Sequence, residues 1–376
     1  MQISIIGGGP AGLYFAILAK KNFPDWSIQV YERNGPNDTF GWGVVFSDRT
    51  LQYLEEYDKH SHDEIVKEFE TWENVEVVHN DEHILIGGNK FSGISRLKML
   101  NILQARCQKL GVDIEYKKEI TDLNEVKASD LIIVCDGVNS TIRRNYPSYF
   151  EPELSSRSNK YIWFGTNKLF HALTLTLRKN DAGIFASHSY KFNKTTSTFV
   201  VECDPDTWEN AGFASMSEDE TRLYLEKVFE KDLDGNSLLS NRSLWINFLL
   251  VKNKHWVHDN IVIMGDAAHT AHFSIGSGTK LALEDSIALF NEIKKETTIT
   301  SSLVKYEENR KPKVEEYQQF AYDSLVLFEN LKKIIHLPPL EMAYTMMTRS
   351  KKLTHEKLRG RDPVFVERVE KFRKEN

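Results

Sequence analysis

The sequence predicts an α/β protein in which a Rossmann-like domain, assembled from separated segments, carries an inserted antiparallel β-sheet lobe and ends in C-terminal helices. Three observations lead there. The chain opens as strand, glycine turn, helix, strand; two later apolar runs each end in a turn holding Asp and Gly; and β-branched and aromatic runs fill much of 160–251 between those two turns. A length of 376 residues suits two lobes better than one or three.

Residues 2–6 form an apolar run that Gly7-Gly8-Gly9-Pro10-Ala11-Gly12 interrupts; Leu13, Ile17 and Leu18 then mark a helix over 13–21, and 27–31 reads as a second strand. A polar helix is expected over 50–70. The alternating stretch 75–91 reads as a hairpin turning at Gly87-Gly88, 96–110 as an amphipathic helix, 112–116 as an extended segment and 130–135 as a buried strand. The runs 161–164, 173–177, 184–188, 198–203 and 245–251 read as an antiparallel sheet, interrupted by a helix over 217–229 that opens with Ser217-x-x-Glu220. A buried strand returns at 261–264, and the chain beyond 279 is helical and charged. These assignments put the Rossmann-like domain at 1–73, 92–157 and 253–310, the second, substrate lobe at 74–91 and 158–252, and a C-terminal helical segment at 311–376.

Lys and Arg number 48 against 54 Asp and Glu, and the net charge of −6 gives no bulk attraction to nucleic acid or to an acidic membrane. Cys107, Cys135 and Cys203 lie far apart with no C-x-x-C pair, so neither a disulfide framework nor a zinc knuckle is indicated and a reduced, cytoplasmic setting is expected. No apolar stretch approaches the roughly 20 residues a membrane-spanning helix needs. Met1 leads directly into the first strand without a basic leader, from which an unprocessed chain is expected.

Gly7-x-Gly9-x-x-Gly12 stands between a strand and a helix, and Glu32 closes the next strand with Arg33 after it. The first glycine allows a tight turn, the second lets a pyrophosphate approach the backbone, and the third, after Ala11, lets helix and strand pack closely. The helix start offers free N–H groups to phosphates, and Glu32 is placed to accept from ribose hydroxyls. A second turn, Cys135-Asp136-Gly137-Val138-Asn139-Ser140-x-x-Arg143, also follows a buried strand: Gly137 suits a positive φ and the Arg143 guanidinium suits a phosphate. The third, Gly265-Asp266-Ala267-Ala268-His269, continues to Gly276-Ser277-Gly278-Thr279 and a helix carrying Asp285. There a carboxylate at a strand end suits sugar hydroxyls, and a helix start suits an anionic ring.

In this order the three turns resemble those of the FAD-dependent aromatic hydroxylases, the single-component flavoprotein monooxygenases with the para-hydroxybenzoate hydroxylase fold, over residues 1 to about 310. The resemblance implies that the first turn binds the ADP part of FAD, that the second lies near the FAD and nicotinamide pyrophosphates, that the third holds the ribityl chain, and that Arg96 contacts the flavin. Four further stretches, 40–48, 159–166, 197–203 and 272–276, are similar to the branch holding the salicylyl-CoA and anthraniloyl-CoA hydroxylases and the violacein-pathway tryptophan hydroxylase. The wider family usually has Pro at Ser274 and Asn at Lys280, so contacts there do not carry over. Unlike the two-part anthraniloyl-CoA enzyme, this chain stops at Asn376, from which no second, reductive activity is expected.

The resemblance implies NADH or NADPH reducing bound FAD, dioxygen adding to give a flavin hydroperoxide, and oxygen transfer to an electron-rich ring. An aryl-CoA thioester is the first substrate expected, tryptophan or another indole the second. A monomer or homodimer is expected, with no nucleic-acid or membrane partner. A non-catalytic FAD-binding redox protein shares the motifs; a halogenase would need a Trp-x-Trp-x-Ile-Pro stretch, which is absent. Gly43 and Val44, within a 41–45 loop expected to be mobile, are candidate flavin contacts. His188 and Tyr190, on a strand of the β lobe, are candidate catalytic groups, His188 as a base or as a structural residue. Trp42 and Trp163 line a pocket or fill core. Asp266, His269 and His272 have metal-like spacing, but all three lie in the flavin motif and no metal is expected. Arg349, Lys351, Lys352, Lys357, Arg359 and Arg361 read as a solvated helix face, with CoA phosphates as the alternative.

Overall fold

The computed structural model describes residues 1–376, apart from the side chains of 47–49. A six-stranded sheet runs in the spatial order Val257–His258, Ile261–Ile263, Leu131–Val134, Gln2–Ile6, Ser27–Glu32, Asp113–Tyr116, parallel except for its first pair. Leu131–Val134 is buried at every position, as its uninterrupted apolar sequence requires of a central parallel strand covered on both faces. Helices Pro10–Asn22, Arg96–Leu110 and Gly278–Lys295 supply that cover.

The second sheet has eight strands. Leu238–Leu239, Pro152–Thr166, Ser197–Cys203, Gly183–Lys191, Leu173–Asn180, Val75–His79 and Glu82–Ile86 follow one another, and Ile246–Asn253 pairs with Pro152–Thr166. It is mixed rather than wholly antiparallel, because Leu173–Asn180 runs parallel to Val75–His79, a strand that enters from a distant part of the chain. One face packs on Phe213, Leu225 and Phe229 of the inserted helical region; the far end packs on Met342, Met346 and Phe365 of the C-terminal helices. The C-terminal segment therefore completes the core of the second lobe. A third, three-stranded sheet of Gly43–Ser47, Phe91–Ser95 and Glu70–Trp72 lies between the two.

Several boundaries differ from the expectation. The hairpin turns at Asn80-Asp81, whose φ values of 51° and 63° are positive ones that Asn and Asp tolerate. Gly87-Gly88 instead packs on the C-terminal segment, where a side chain at Gly88 would strike the Arg361 carbonyl. The helix expected over 50–70 is two, Asp48–Tyr57 and Lys59–Lys67, because Asp58 caps the second through the Ser61 N–H. Residues 152–157, expected in the Rossmann-like domain, already belong to the second sheet, and helix Ile299–Glu329 runs through the expected boundary at 310. No helix of the described residues is long and apolar enough to cross a membrane.

Candidate functional site

The three glycine turns sit at the carboxyl ends of adjacent parallel strands, and small residues lock them together. Gly7, at φ +111°, lies so close to the Cys135 carbonyl that any side chain would collide with it, and Cys135 Sγ donates to the Gly7 carbonyl at 3.3 Å. A Cβ at Gly265 would come 3.3 Å from that of Ala11, while Ser286 Oγ donates to the Ala11 carbonyl at 2.7 Å. Arg143 bridges the second and third turns, donating to the Ala267 carbonyl at 2.7 Å and to that of Val138 at 2.5 Å. Expected to meet a phosphate, Arg143 is buried and spends its two terminal nitrogens on these carbonyls, which leaves its Nε without a protein partner.

On their outer side the same turns are open. A Cβ placed at Gly9, Gly137 or Gly278 would meet no protein atom within 4 Å. Helices Pro10–Asn22 and Gly278–Lys295 both start without a side-chain cap, so their first N–H groups are available to an anion. Around this space stand polar atoms with no protein partner: Asp136 Oδ1 and Arg96 Nε are buried and unsatisfied. Asp266 is exposed at the end of its strand, and its protein surroundings raise its carboxyl above the usual value against the pull of Arg96. The same desolvation lowers Arg96. Gly276, at φ +60°, is exposed beside Val45, and Thr279 is half-buried in the first turn of the helix.

Glu32 accepts the Gly8 N–H at 2.7 Å and the Asn34 N–H at 2.7 Å, which fixes its carboxylate at the end of the second strand. Arg33 is exposed and reaches Glu119 at 3.8 Å. Uncapped helix starts, open glycines, an exposed carboxylate at Asp266 and unsatisfied Asp136 and Arg96 make a set of donors and acceptors that fits FAD.

A buried ionic network holds the third turn. Asp285 accepts from the Gly265 N–H at 2.9 Å and from Arg310 Nε at 2.7 Å, and lies 2.7 Å from His269 Nε2; Arg310 also donates to Glu284 at 3.1 Å. Burial alone would raise the Asp285 carboxyl, but His269 and Arg310 outweigh it and hold the group below its ordinary value. Arg310 carries no motif, so the sequence offered no signal for it. His269 and His272 face different partners, Asp285 and Ser274, and no group of three metal-ligating side chains converges among the described residues.

Beyond the third turn an aromatic cluster packs against the second sheet. Phe273 packs at 4.7 Å from Tyr161 and 5.3 Å from His188, ring centre to ring centre, and Phe328 is 4.8 Å from His188. His188 Nε2 meets Glu202 Oε1 at 2.7 Å, and Glu202 Oε2 accepts from Asn159 at 3.3 Å. Burial pushes the Glu202 carboxyl up, but the His188 contact more than compensates and keeps it below its ordinary value. With Nε2 on the carboxylate, Nδ1 is the ring nitrogen outside that contact. Glu202 was missed as a site residue; its signal was a single acid in the apolar strand Ser197–Cys203.

Tyr190, expected beside His188 as a catalytic group, lies two residues further along the same strand and on the same face, but its hydroxyl donates to the Gly43 carbonyl at 2.9 Å and its ring stacks on Trp72. Residues 41–45, expected as a mobile loop, pack closely in this conformation: the Trp163 ring covers Gly41, Trp42 covers Gly165, Phe192 covers Gly43, and Val44 is buried in the strand. Ser47 and Asp48, which end the similar stretch 40–48, lie outside the residues described with side chains. The basic run divides. Arg349 turns inward and donates to the Ser274 carbonyl at 2.6 Å and to Ser324 Oγ at 2.8 Å; Arg361 bonds Asn89; Arg359 pairs with Glu370; Lys351, Lys352 and Lys357 remain at the surface.

Comparison with known proteins gives a match to the FAD binding domain over residues 1–321. The chain is 39% identical to a salicyloyl-CoA 5-hydroxylase from Streptomyces sp, covering 98% of this chain and 73% of that one. It is 31% identical to the protodeoxyviolaceinate monooxygenase of Chromobacterium violaceum, covering 94% and 95%. It is 30% identical to a 3-hydroxy-4-methyl-anthranilyl-[aryl-carrier protein] 5-monooxygenase of Streptosporangium sibiricum, covering 89% and 91%. Among solved structures, 2-methyl-3-hydroxypyridine-5-carboxylic acid oxygenase shares the fold at a TM-score of 0.72 and 16% identity, with 95% of each chain covered.

Proposed function

Because the chain belongs to the FAD binding domain family, as a flavin-dependent aromatic monooxygenase, we propose that it hydroxylates a benzoyl ring carried as an acyl thioester, with NADH or NADPH as electron source. The observation that carries this reading is the His188–Glu202 pair at 2.7 Å, packed among aromatic rings beside the third glycine turn. Two of the relatives bear names that specify ortho-substituted benzoyl groups on thiol carriers, salicyloyl-CoA and an anthranilyl-carrier protein.

When bound, FAD supplies the electron transfer and the activation of dioxygen. The first turn and its uncapped helix would hold the phosphates, Glu32 and Asp266 the hydroxyl-bearing chains, and the N–H groups at Gly278 and Thr279 would favour negative charge on the cofactor. Tyr161, Phe273 and Phe328 surround the substrate ring and keep water from it. His188 Nδ1 accepts the proton of an ortho hydroxyl, or a hydrogen bond from an ortho amine, and the ionised Glu202 stabilises the positive charge that develops on the imidazole when the proton is transferred. Removing that proton raises the electron density of the ring at the position to be oxygenated.

The test is a screen of salicyloyl-CoA, anthraniloyl-CoA, the free acids and tryptophan for acceleration of NADH and NADPH oxidation by the FAD-loaded protein, with products identified by mass. A thioester product heavier by one oxygen is expected. Oxygenation of the free acids or of tryptophan alone would overturn the thioester reading; the latter favours an indole substrate, the second reading suggested by the violacein-pathway relative.

A further inference from the structure

A pocket of about 720 Å³ opens between helices Gly278–Lys295 and Ile299–Glu329 and the segment beyond Arg349. Its lining holds seven cationic side chains against three carboxylates, on a chain whose net charge is −6. The cations converge on one aromatic ring: Lys280 Nζ lies 4.0 Å and Lys352 Nζ 4.4 Å from the centre of Tyr317, with Lys313 one helical turn before it.

Some of this charge is already balanced. Lys280 meets Glu284 at 2.7 Å, Lys351 meets Asp323 at 3.3 Å and Lys295 meets Glu292 at 3.4 Å. Lys313, Lys352 and Lys357 have no carboxylate within 4.0 Å among the described residues; Lys357 Nζ reaches only the Lys352 carbonyl, at 3.3 Å. Three uncompensated ammonium groups from separate segments, gathered at an aromatic-walled recess, suit a polyvalent anion better than a single carboxylate. Tyr317 responds to the same field: burial would raise its phenol, but Lys280 and Lys352 bring it below its usual value. Lys280 stands two residues past Gly278, so the recess begins at the base of the third glycine turn.

We propose that this recess binds the phosphates of an adenine nucleotide, and that the nucleotide is the phosphorylated end of a coenzyme A thioester substrate. The identity of the nucleotide rests on the thioester reading above; the presence of a phosphate site does not. The same chemistry has a second source, the nicotinamide co-substrate, and the test separates the two.

Titration calorimetry on the FAD-loaded full chain uses adenosine 3′,5′-bisphosphate and inorganic pyrophosphate as probes. Both should bind, more weakly at high salt. The double variant Lys313→Glu/Lys352→Glu should weaken both by about tenfold or more, with Lys313→Gln/Lys352→Gln intermediate. Both positions are exposed, so the substitutions leave the core untouched. In turnover, the KM of the CoA thioester should rise by about tenfold relative to that of the same acyl group on N-acetylcysteamine, a thiol without phosphates. A rise confined to the KM for NADH or NADPH would support the phosphate site and overturn its assignment to the substrate. Binding of the probes that the variants abolish, in a protein that turns over no thioester, would leave the site standing while the proposed function falls. Absence of probe binding to the unmodified protein, or binding that the variants do not change, would overturn the proposal.

Discussion

The Arg349 guanidinium donates to the backbone carbonyl of Ser274 at 2.6 Å, tying the C-terminal segment to the third glycine turn. The same side chain reaches Ser324 Oγ at 2.8 Å, and Ser324 Oγ lies 2.8 Å from Ser274 Oγ, so one half-buried cation organises both ends of this contact. Burial without a directly paired acid lowers Arg349 to about 10. The C-terminal helices thus bear on the site without lining the open side of the glycine turns.

Arg349→Ala should therefore cost about 1–3 kcal/mol of stability, the range for leaving buried partners of a charged donor unsatisfied. It should also raise the fraction of NAD(P)H consumed without hydroxylated product, because the turn beside the substrate cleft loosens. Arg349→Lys restores charge but not the forked geometry, and should recover less than half of the coupling. Denaturant unfolding and product-to-cofactor stoichiometry measure the two effects; unchanged stoichiometry in Arg349→Ala would sever the segment from the site.

Two glycines of the first turn predict opposite failures. A Cβ at Gly12 would lie 2.7 Å from Cys135 Sγ and closer still to the Gly7 carbonyl, so Gly12→Val should prevent close packing of helix and strand and cost several kcal/mol. A Cβ at Gly9 meets nothing within 4 Å and the residue has an ordinary φ of −80°. Gly9→Ala should therefore fold with stability within about 0.5 kcal/mol of the unsubstituted chain. It should nevertheless bind FAD at least about tenfold more weakly if the phosphates approach the backbone there. Flavin absorbance after gel filtration, with unfolding of the apoprotein in parallel, separates them; full FAD retention by Gly9→Ala would remove the first turn from the site.

What the sequence made legible was the local chemistry of short periods: the opening strand–turn–helix, the buried strand at 131–134 and the helix at Arg96 all stand within a residue or so of expectation, because each is a contiguous pattern. Less legible was what depends on distant partners. That Asn80-Asp81 turns the hairpin and Gly87-Gly88 does not follows from the docking of Arg361 and Asp362 on those glycines. Arg143, Arg310 and Arg349 look alike as sequence, and only the fold shows that each reaches buried carbonyls or carboxylates. Glu202 is similar: the strand register sets Val200 opposite His188, and Glu202 reaches it diagonally.

Removing the Glu202 charge tests the proposed base. Glu202→Gln preserves shape but replaces an acceptor with a group that can also donate, which weakens the preference for the tautomer with Nδ1 free. The rate of hydroxylation should fall by about 10²-fold or more, in the range of a lost general base, while reduction of bound FAD by NAD(P)H proceeds. His188→Gln should fall as far, and the double variant no further, since both act through one proton transfer. Rapid-mixing absorbance of the flavin and quantified product distinguish the steps. Additive losses in the double variant would show that the two residues do not work as a unit.

His272 gives a pH dependence with a definite sign. Burial against Phe273 and Phe248 lowers it from 6.5 to about 4, with Glu202 pulling upward and His188 and Arg349 downward. The unfolded chain takes up a proton near pH 6.5 and the folded chain not until about 4, so between those values the unfolded state binds more protons and stability falls as pH falls. At about 1.4 kcal/mol per pH unit the loss approaches about 3 kcal/mol and levels off below pH 4. Asp285, held low by His269 and Arg310, acts in a separate window: its contribution is present above the ordinary carboxylate value of 3.8 and disappears only below it. His272→Asn keeps an acceptor near Nδ1 for Ser274 but cannot titrate, so its stability should change less than that of the unsubstituted chain from pH 6.5 to 4, while both fall alike at lower pH. Denaturant unfolding across that range is the measurement, and parallel curves for the two proteins would show that His272 is not the titrating group.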